Sequence, residues 1–187
     1  MKKMKIGVDL DDVVFEFVPE LLKSFERKYS KKVLFEEVDS YFFSHIFEIE
    51  FDEVLELIKN ICLKKLPFSP YSQEVLISLS DNFKIYFITS RIFRENTLET
   101  LEKYFSEIDF ELIFSSNPYS GVGGKTKGEI CEELEIDFMV EDSKEHAKDC
   151  IEKGIRTFLL DKPWNKNFQH EKIIRVKNWK EILEKLK

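Results

Sequence analysis

Three carboxylates follow a short apolar run near the beginning of the chain, at Asp9, Asp11 and Asp12. The apolar run predicts a buried strand over residues 5–10, and successive side chains of a strand point to opposite faces. Asp9 and Asp11 therefore start on the same face, at the point where the strand ends. Two carboxylates this close repel each other unless a cation or a shared proton lies between them. The pattern predicts a divalent-metal site at the carboxyl end of the first strand.

Two later strands also end in polar side chains that suit a phosphate and a metal. Thr89, Ser90 and Arg91 close the second predicted strand, and Glu141 and Asp142 close the fourth. Carboxylate oxygens such as those of Asp142 are the hard ligands that Mg²⁺ prefers. The hydroxyl of Thr89 and the backbone N–H groups around it can bind an anion, a role that is compatible with capping the next helix.

The loop after the third predicted strand carries two lysines, Lys125 and Lys127, which compete for one role as the positive partner of an anion. The glycines at 121–124 resemble a phosphate-binding P-loop. That pattern needs a glycine where Tyr119 stands, so we exclude it.

Carboxylates, a hydroxyl and a lysine at successive strand ends indicate phosphoryl chemistry. A phosphoryl group held between a cation and a lysine still needs an attacking oxygen and a proton donor for the leaving group. Asp9 and Asp11 are adjacent on the first strand and can fill these two roles.

The elements that position these side chains alternate regularly after residue 72. The pattern predicts helices over about 73–80, 94–106, 127–134, 143–152 and 178–186, and strands over 83–89, 109–115, 137–141, 155–160 and 172–176. Such alternation is typical of an α/β fold with a doubly wound, mostly parallel sheet. Right-handed crossovers then bring the carboxyl ends of the strands to one edge, where ligands usually bind.

The segment between the first strand and this alternating part is helical and reads as an insertion. It contains a predicted helix from Pro19 to about Lys31, an ambiguous aromatic stretch and an amphipathic helix from Phe51 to Leu63. We therefore predict a core domain of residues 1–16 and 73–187 and a small α-helical cap of residues 17–72.

Composition and charge limit the classes of partner. The chain has 187 residues with a formal net charge of −7, which argues against a nucleic acid polymer or an anionic membrane as partner but allows a small phosphorylated substrate. Three cysteines, Cys62, Cys131 and Cys150, have no CxxC spacing and predict free thiols in a reducing compartment. No signal peptide and no apolar run of membrane-spanning length is found, so we expect a cytoplasmic protein.

Taken in order, Asp9-Leu10-Asp11, Thr89, Lys127 and Glu141-Asp142 resemble the four motifs of the haloacid dehalogenase-like (HAD) superfamily. The resemblance spans the whole chain, with the helical insertion in the place of the small cap of that superfamily. Within it, the chain is similar to the 5′(3′)-deoxyribonucleotidases and their bacterial nucleotidase-like relatives. Supporting stretches lie at 87–91, 127–130, 158–165 and 174–179. The resemblance implies a Rossmann-like HAD core and a Mg²⁺-dependent phosphatase.

The resemblance also implies roles for the residues of the first motif. Asp9 would be the nucleophile that forms an aspartyl-phosphate. Asp11 would be the general acid for the leaving alkoxide and then the base for water, and its backbone carbonyl would be a metal ligand. The presence of Asp11 indicates hydrolysis of phosphate esters, because HAD dehalogenases lack a proton-transferring aspartate at this position. Asp12 stands where glycine is common, and its role is open.

The other motifs supply the phosphate and metal contacts that the resemblance implies. Thr89, with Ser90 beside it, and Lys127 would hold the phosphoryl oxygens. Asp142 would be a direct metal ligand together with Asp9 and Asp11, with Glu141 as a further ligand or close behind it. Lys127 is favoured over Lys125 because it has the family spacing of fourteen residues before Glu141.

Substrate contacts are expected from the residues that follow the first motif. Phe17 lies eight positions after Asp9, where deoxyribonucleotidases carry an aromatic residue that stacks on the base, and Phe15 and Arg91 are further candidates. The aromatic run 41–43 can serve either as the core of the cap or as part of a platform for the base. The histidines form no spaced cluster and are expected to be surface or satisfied residues; they are His45, His146 and His170.

We therefore expect a Mg²⁺-dependent phosphomonoester hydrolase that acts through an aspartyl-phosphate, with a nucleoside monophosphate as substrate. A HAD phosphatase for sugar phosphates or another small phosphometabolite is the alternative within the same chemistry. A phospholigand-binding module that is not an enzyme is a further alternative. The sequence does not determine the oligomeric state.

Overall fold

A computed structural model describes residues 3–92, 94–117 and 123–187. Within these residues six strands form one sheet: β1 (Met4–Val8), β2 (Phe83–Thr89), β3 (Phe110–Phe114), β4 (Phe138–Glu141), β5 (Arg156–Leu160) and β6 (Ile173–Val176). All neighbouring strands are parallel, in the order β3-β2-β1-β4-β5-β6. The prediction of a doubly wound α/β sheet is confirmed.

Eight helices belong to the described part of the chain. They are α1 (Phe17–Tyr29), α2 (Phe43–Phe47), α3 (Phe51–Lys59), α4 (Ser72–Leu79), α5 (Thr97–Tyr104), α6 (Lys127–Glu133), α7 (Lys144–Glu152) and α8 (Trp179–Leu186). Short 3-10 turns lie at Phe35–Glu37, Leu63–Lys65 and Pro163–Asn165. None of the described helices is long and apolar enough to cross a membrane.

The central strands are apolar because helices cover both faces of the sheet. Side chains that are fully buried on these strands include Ile6, Val8, Ile85, Phe87 and Val140. The strand order reverses between β1 and β4, and in open parallel sheets ligands bind in the crevice at such a point. The first and fourth motifs of the sequence follow these two strands.

Most predicted boundaries agree with the structure to within a few residues. The helix predicted over 94–106 is shorter, since α5 begins at Thr97 after Asn96, which has a left-handed backbone with φ of 60°. Asn178 caps α8 as expected, because its side chain accepts hydrogen bonds from the backbone N–H groups of Lys180 and Glu181. The glycine-rich loop predicted over 120–124 lies mostly outside the described residues.

Helices α1, α2 and α3 lie between β1 and β2 and pack on one another. Phe25 of α1 stacks on Phe47 of α2, with 4.2 Å between ring centroids. The helix predicted over 51–63 ends at Lys59, where Asn60 follows as the cap and donates from its side chain to the carbonyl of Glu56. The division into a core and a cap of residues 17–72 stays a prediction.

The chain enters and leaves this helical insertion along two adjacent segments. The N–H of Glu16 donates to the carbonyl of Pro67, and the N–H of Ser69 and the hydroxyl of Ser72 both donate to the carbonyl of Val14. These contacts hold the insertion beside the residues that follow β1. The helices of the insertion therefore lie next to the carboxyl ends of the central strands.

Candidate active site

An acidic group lies in the crevice between β1 and β4. Asp9 follows β1, and its backbone N–H donates to the carbonyl of Val140 on β4 at 3.1 Å. Oxygen atoms of Asp9, Glu141 and Asp142 lie within 4.8 Å of one another, and all three residues are buried. The sheet therefore brings together the carboxylates that the sequence places 132 and 133 positions apart.

Lys127 extends into this acidic group from the first residue of α6. Its Nζ lies 2.7 Å from Asp9 Oδ1 and 2.7 Å from Glu141 Oε1. Thr126 caps the helix by accepting a hydrogen bond from the N–H of Glu129. Lys125 instead pairs with Glu133 on the surface. The structure therefore brings Lys127, and not Lys125, to the acidic group.

The start of α6 is itself held by α7. Asp149 accepts hydrogen bonds from the N–H of Gly128 at 2.5 Å and from the hydroxyl of Thr126 at 3.1 Å. A side chain at Gly128 would place its Cβ 2.6 Å from the carbonyl oxygen of Asp149, so only glycine allows this approach. The contact between the two helices sets the position from which Lys127 reaches Asp9.

Burial and neighbouring charge act in opposite directions on these groups. Burial alone would lower the pKa of Lys127, but the charges of Asp9 and Glu141 raise it above its usual value, so the amine is a cation. Burial raises the pKa of Glu141, although Lys127 opposes the rise. Burial, and then the charge of Asp9, raise the pKa of Asp142 to about 7. A divalent cation at this position would favour the ionised carboxylates.

Asp142 has one oxygen that is fully engaged and one that is not. Its Oδ2 accepts hydrogen bonds from the hydroxyl of Tyr41 and, at 2.9 Å, from the indole Nε1 of Trp164. Its Oδ1 is buried and has no hydrogen-bond partner among the described residues. A buried carboxylate oxygen without a partner is costly unless a cation binds it. Asp9 and Asp142 therefore fit a hard divalent cation such as Mg²⁺.

Both oxygens of Glu141 are already used within the protein. Oε1 accepts from Lys127, and Oε2 accepts from the backbone N–H of Asp142 at 3.2 Å. This carboxylate lies within the acidic group, but its contacts suit the holding of Lys127 better than direct binding of a metal.

Asp11 lies outside the acidic group and forms an ion pair with Arg91. Burial raises the pKa of Asp11 to about 6, and the guanidinium of Arg91 opposes that rise. A carboxyl group with such a pKa carries a proton for part of the time near neutrality, which a general acid requires. The sequence predicted both residues at the site but not their contact.

Asp12, whose role the sequence leaves open, has a structural role. Its backbone φ is 59°, a left-handed conformation that glycine adopts without strain and aspartate tolerates. Its carboxylate is fully buried and accepts hydrogen bonds from the N–H of Val18 at 3.0 and 3.1 Å. Burial, and then the charge of Asp142, raise its pKa. Asp12 therefore holds the start of α1.

The end of β2 carries a chain of hydroxyl contacts. Thr89 is buried, and its Oγ1 accepts from the N–H of Arg91 at 3.3 Å. The hydroxyl of Ser90 lies 2.7 Å from that of Ser115 and 3.3 Å from Nε2 of His146. Burial, and then the charge of Lys127, lower the pKa of His146, so its imidazole is neutral.

A cavity opens above these residues and reaches the helical insertion. Its floor contains the polar residues described above: Asp9, Asp11, Thr89, Ser90, Arg91, Lys127, Asp142 and His146. Its other wall is mostly apolar and contains Phe17, Tyr41, Phe42, Phe43, Phe51, Val54, Leu55 and Ile58. Phe17 therefore lines the cavity, while its predicted contact with a base stays a prediction, and the aromatic run 41–43 serves both the packing of the insertion and the wall of the cavity.

Phe15 is not brought to this cavity. It is fully buried and packs against Phe68, with 4.9 Å between ring centroids. Phe15 is therefore not among the predicted substrate contacts that the structure brings to the cavity, and its packing helps to hold the insertion.

Sequence reasoning missed residues that contact the predicted site residues and hold them in place. His146 is predicted from the sequence only as a surface or satisfied residue, and Trp164 and Asn165 lie within a supporting stretch without a role of their own. Asn165 donates from Nδ2 to the backbone carbonyls of Asp142 and Leu160, both at 2.7 Å. The sequence signal for these two residues was a pair of hydrogen-bond donors, Trp164 and Asn165, that follows a buried strand closely.

Comparisons with known proteins agree with this geometry. Residues 2–186 match the family described as 5′ nucleotidase, deoxy (pyrimidine), cytosolic type C protein (NT5C). A nucleotidase of Clostridium acetobutylicum is 24% identical over 190 residues, which covers 97% of this chain and 93% of that protein.

Solved structures show the same fold. A predicted phosphoglycolate phosphatase of Haemophilus somnus covers all of both chains with a TM-score of 0.67 at 16% identity. The HAD-type hydrolase YfnB of Bacillus subtilis, bound to magnesium, has a TM-score of 0.63 at 13% identity and covers 100% of this chain and 99% of its own.

Proposed function

The chain belongs to the NT5C family of 5′ nucleotidases within the HAD superfamily, and from that premise we propose that it hydrolyses nucleoside monophosphates with Mg²⁺ as cofactor. The enzyme class, a HAD-type phosphatase or nucleotidase, follows from the family. The nucleotide substrate, the metal and the roles of single residues are the proposal. Residues 17–72 act in it as the cap over the site.

Asp9 is the nucleophile in this proposal. Its carboxylate oxygen attacks phosphorus, the bond from phosphorus to the leaving oxygen breaks, and an aspartyl-phosphate forms. Lys127, whose Nζ is 2.7 Å from Asp9, forms an ion pair with that carboxylate and then faces the oxygens of the phosphoryl group. Asp9 and Asp142 would hold Mg²⁺, which when bound would supply further positive charge against those oxygens.

Asp11 moves the proton in both half-reactions. Its protonated carboxyl gives the proton to the leaving alkoxide, and the resulting carboxylate takes a proton from water. That water attacks the aspartyl-phosphate, so inorganic phosphate leaves and Asp9 is regenerated. The raised pKa of Asp11, about 6, supports this assignment. Thr89 and Ser90, at the end of β2, bind the remaining phosphoryl oxygens.

The apolar wall above the catalytic carboxylates is the observation that carries the choice of substrate. Phe17 and the α3 side chains Val54, Leu55 and Ile58 line it. A sugar phosphate presents hydroxyl groups that such a wall leaves without hydrogen bonds, whereas a nucleobase presents a flat ring face. Stacking of a base on an aromatic ring contributes about 1–3 kcal/mol. The wall therefore favours nucleotides over sugar phosphates.

A hydrolysis screen with Mg²⁺ over nucleoside monophosphates and sugar phosphates tests the proposal. We expect a preference for nucleotides, and no phosphate release from Asp9→Asn. Phe17→Ala should lower kcat/KM for a nucleotide by about 5- to 150-fold, from the loss of stacking, and leave a small phosphomonoester nearly unaffected. A preference for sugar phosphates, or equal losses on both substrates, would contradict the nucleotide assignment.

A cytoplasmic location forms part of the proposal. Cys62, Cys131 and Cys150 are free in the structure. Free thiols suit a reducing compartment, where nucleoside monophosphates are also found.

A further inference from the structure

The helical insertion donates a hydrogen bond directly to a carboxylate of the candidate metal site. Tyr41 lies in the insertion between the 3-10 turn Phe35–Glu37 and α2, and its hydroxyl donates to Asp142 Oδ2. Asp142 lies 101 positions later, at the end of β4. Tyr41 is therefore the side chain through which the insertion touches the candidate metal ligand.

The other donor to the same oxygen belongs to the rigid core. Trp164 is 3% exposed and donates from Nε1 to Asp142 Oδ2 at 2.9 Å. The next residue, Asn165, binds the backbone carbonyl of Asp142 at 2.7 Å. These contacts hold one side of Asp142 against the core and involve no residue of the insertion.

Aromatic packing carries the contact between the insertion and the core at this point. The ring of Trp164 lies 5.3 Å from that of Tyr41 and 5.6 Å from that of Phe35. Tyr41 thus packs on Trp164 and shares an acceptor with it. The two donors on Oδ2 leave Oδ1, which is buried and without a partner among the described residues, as the oxygen of Asp142 that is available to a cation.

We propose that Tyr41 couples binding of a divalent cation at Asp142 to docking of the helical insertion over the site. The inference rests on the metal-dependent function proposed above. The hydrogen bond from Tyr41 orients the carboxylate so that Oδ1 is presented to the cation. A contact that orients a ligand in this way strengthens metal binding, and its loss typically costs 10- to 100-fold in affinity.

Coupling between the two events is reciprocal by thermodynamic necessity. If a docked insertion raises the affinity for the cation, then the cation stabilises the docked insertion by the same factor. Tyr41 is accordingly a positioning residue, which acts through Asp142 and not on the substrate. Metal binding alone, without substrate, should draw the insertion onto the core.

Titration of the protein with Mn²⁺, monitored by electron paramagnetic resonance, measures whether the contact made by Tyr41 strengthens binding of the cation. Tyr41→Phe keeps the ring that packs on Trp164 and removes only the hydroxyl, so we expect Mn²⁺ to bind about ten-fold more weakly. Tyr29→Phe is the matched control, because it removes a hydroxyl that donates to Glu53 in the same insertion, away from the acidic group. Its affinity for Mn²⁺ should equal that of the wild type.

Hydrogen exchange with and without Mg²⁺ measures whether the cation stabilises the docked insertion. In the wild type and in Tyr29→Phe, Mg²⁺ should slow exchange of the backbone N–H groups over 35–47. In Tyr41→Phe that slowing should be lost, even at Mg²⁺ concentrations that saturate the weakened site. A local structural role for Tyr41 would instead raise exchange equally with and without the metal.

The outcomes separate this inference from the proposed function. Unchanged or tighter Mn²⁺ binding in Tyr41→Phe, or Mg²⁺-dependent protection that survives the substitution, overturns the coupling. Absence of Mn²⁺ binding by the wild type also overturns it. Failure of the wild type to hydrolyse any nucleotide overturns the proposed function alone, because neither binding nor exchange measurement contains a substrate.

Discussion

At the scale of single residues, the site holds two aspartates two positions apart in different surroundings. Asp9 faces the cation of Lys127 at 2.7 Å, while Asp11 lies in a buried position that raises its pKa to about 6. A nucleophile needs the ionised form and a general acid needs the protonated form. The difference in surroundings, not in residue type, supports the division of work between them.

The pH dependence of turnover should follow Asp11. A carboxyl group donates a proton only while protonated, so kcat/KM for a nucleotide should fall as pH rises through about 6. Arg91 lowers that pKa by its charge, so Arg91→Met should move the fall to higher pH. The measurement is the pH profile of kcat/KM at saturating Mg²⁺. Arg94→Met, which removes a cation that packs on Phe114, serves as control and should leave the profile in place.

A profile that is flat from pH 5 to 8, or one that moves to lower pH in Arg91→Met, would count against Asp11 as the general acid. Full activity of Asp11→Asn would do the same, because an amide cannot donate that proton and then accept one from water.

His146 should act on the substrate through Ser90. A hydroxyl has one proton and two lone pairs, and Ser115 and His146 both lie within hydrogen-bond reach of the Ser90 oxygen. If both neighbours donate to it, the proton of Ser90 is available for a phosphoryl oxygen. We expect His146→Leu to raise KM for a nucleotide by about five-fold, the worth of one hydrogen bond of about 1 kcal/mol.

The Ser90→Ala background provides the control for His146. There the same histidine substitution should have no further effect on KM, because its target is gone. Additive losses in the double variant would show that His146 acts independently of Ser90.

At the scale of elements, the position of Lys127 depends on how α6 meets α7. Asp149 of α7 binds the backbone N–H of Gly128 and the cap residue Thr126. A lysine side chain is long and flexible, so its ammonium reaches Asp9 reliably only if the backbone that carries it is held. The helix contact performs this task from outside the cavity.

Gly128→Ala should therefore damage both stability and activity. The new Cβ would lie 2.6 Å from the carbonyl oxygen of Asp149, so the start of α6 must shift. We expect a loss of about 1–3 kcal/mol in the free energy of unfolding, measured with urea, together with a lower kcat. Gly123→Ala is the control, because no atom of the described residues lies within 4 Å of a Cβ there. Equal stability of the two variants would contradict this account of the helix contact.

At the scale of the whole molecule, buried carboxylates make the fold depend on pH and on metal. The pKa of Asp142 is raised to about 7 in the folded chain, well above its value of 3.8 without burial. Between these values the folded state binds more protons than the unfolded state. Stability without metal is therefore greatest below about pH 4 for this group and decreases as pH rises through about 7.

Mg²⁺ should stabilise the protein more at pH 8 than at pH 5. At pH 8 the ionised carboxylates gain a cation, whereas at pH 5 protons compete for Asp142. A ligand at about 100 times its Kd adds about 2.7 kcal/mol to the free energy of unfolding, which should appear as a clear rise in Tm at pH 8. Asp142→Asn should remove most of the rise. A larger Mg²⁺ effect at pH 5 would speak against the acidic group as the metal site.

The order of helices and strands and the candidate site positions were predictable from the sequence. Apolar periodicity located the strands, and parallel strands bring their carboxyl ends to one edge. The alternation therefore predicted that Asp9, Thr89 and Asp142 lie close together, and the family spacing added Lys127. Local patterns suffice here because each of these residues is tied to the end of a regular element, or to the loop that follows one.

Contacts between distant, irregular segments were decided only by the tertiary structure. Phe15 and Phe17 have the same chemistry and lie two positions apart, yet one packs on Phe68 and the other lines the cavity. Tyr41 of the insertion and Trp164 of the core both donate a hydrogen bond to one oxygen of Asp142. Neither outcome follows from a periodic pattern, because side-chain direction in a loop depends on which surface the loop packs against. The sequence by itself therefore determined the carboxylates and the sheet that gathers them, and the tertiary structure determined what surrounds and orients them.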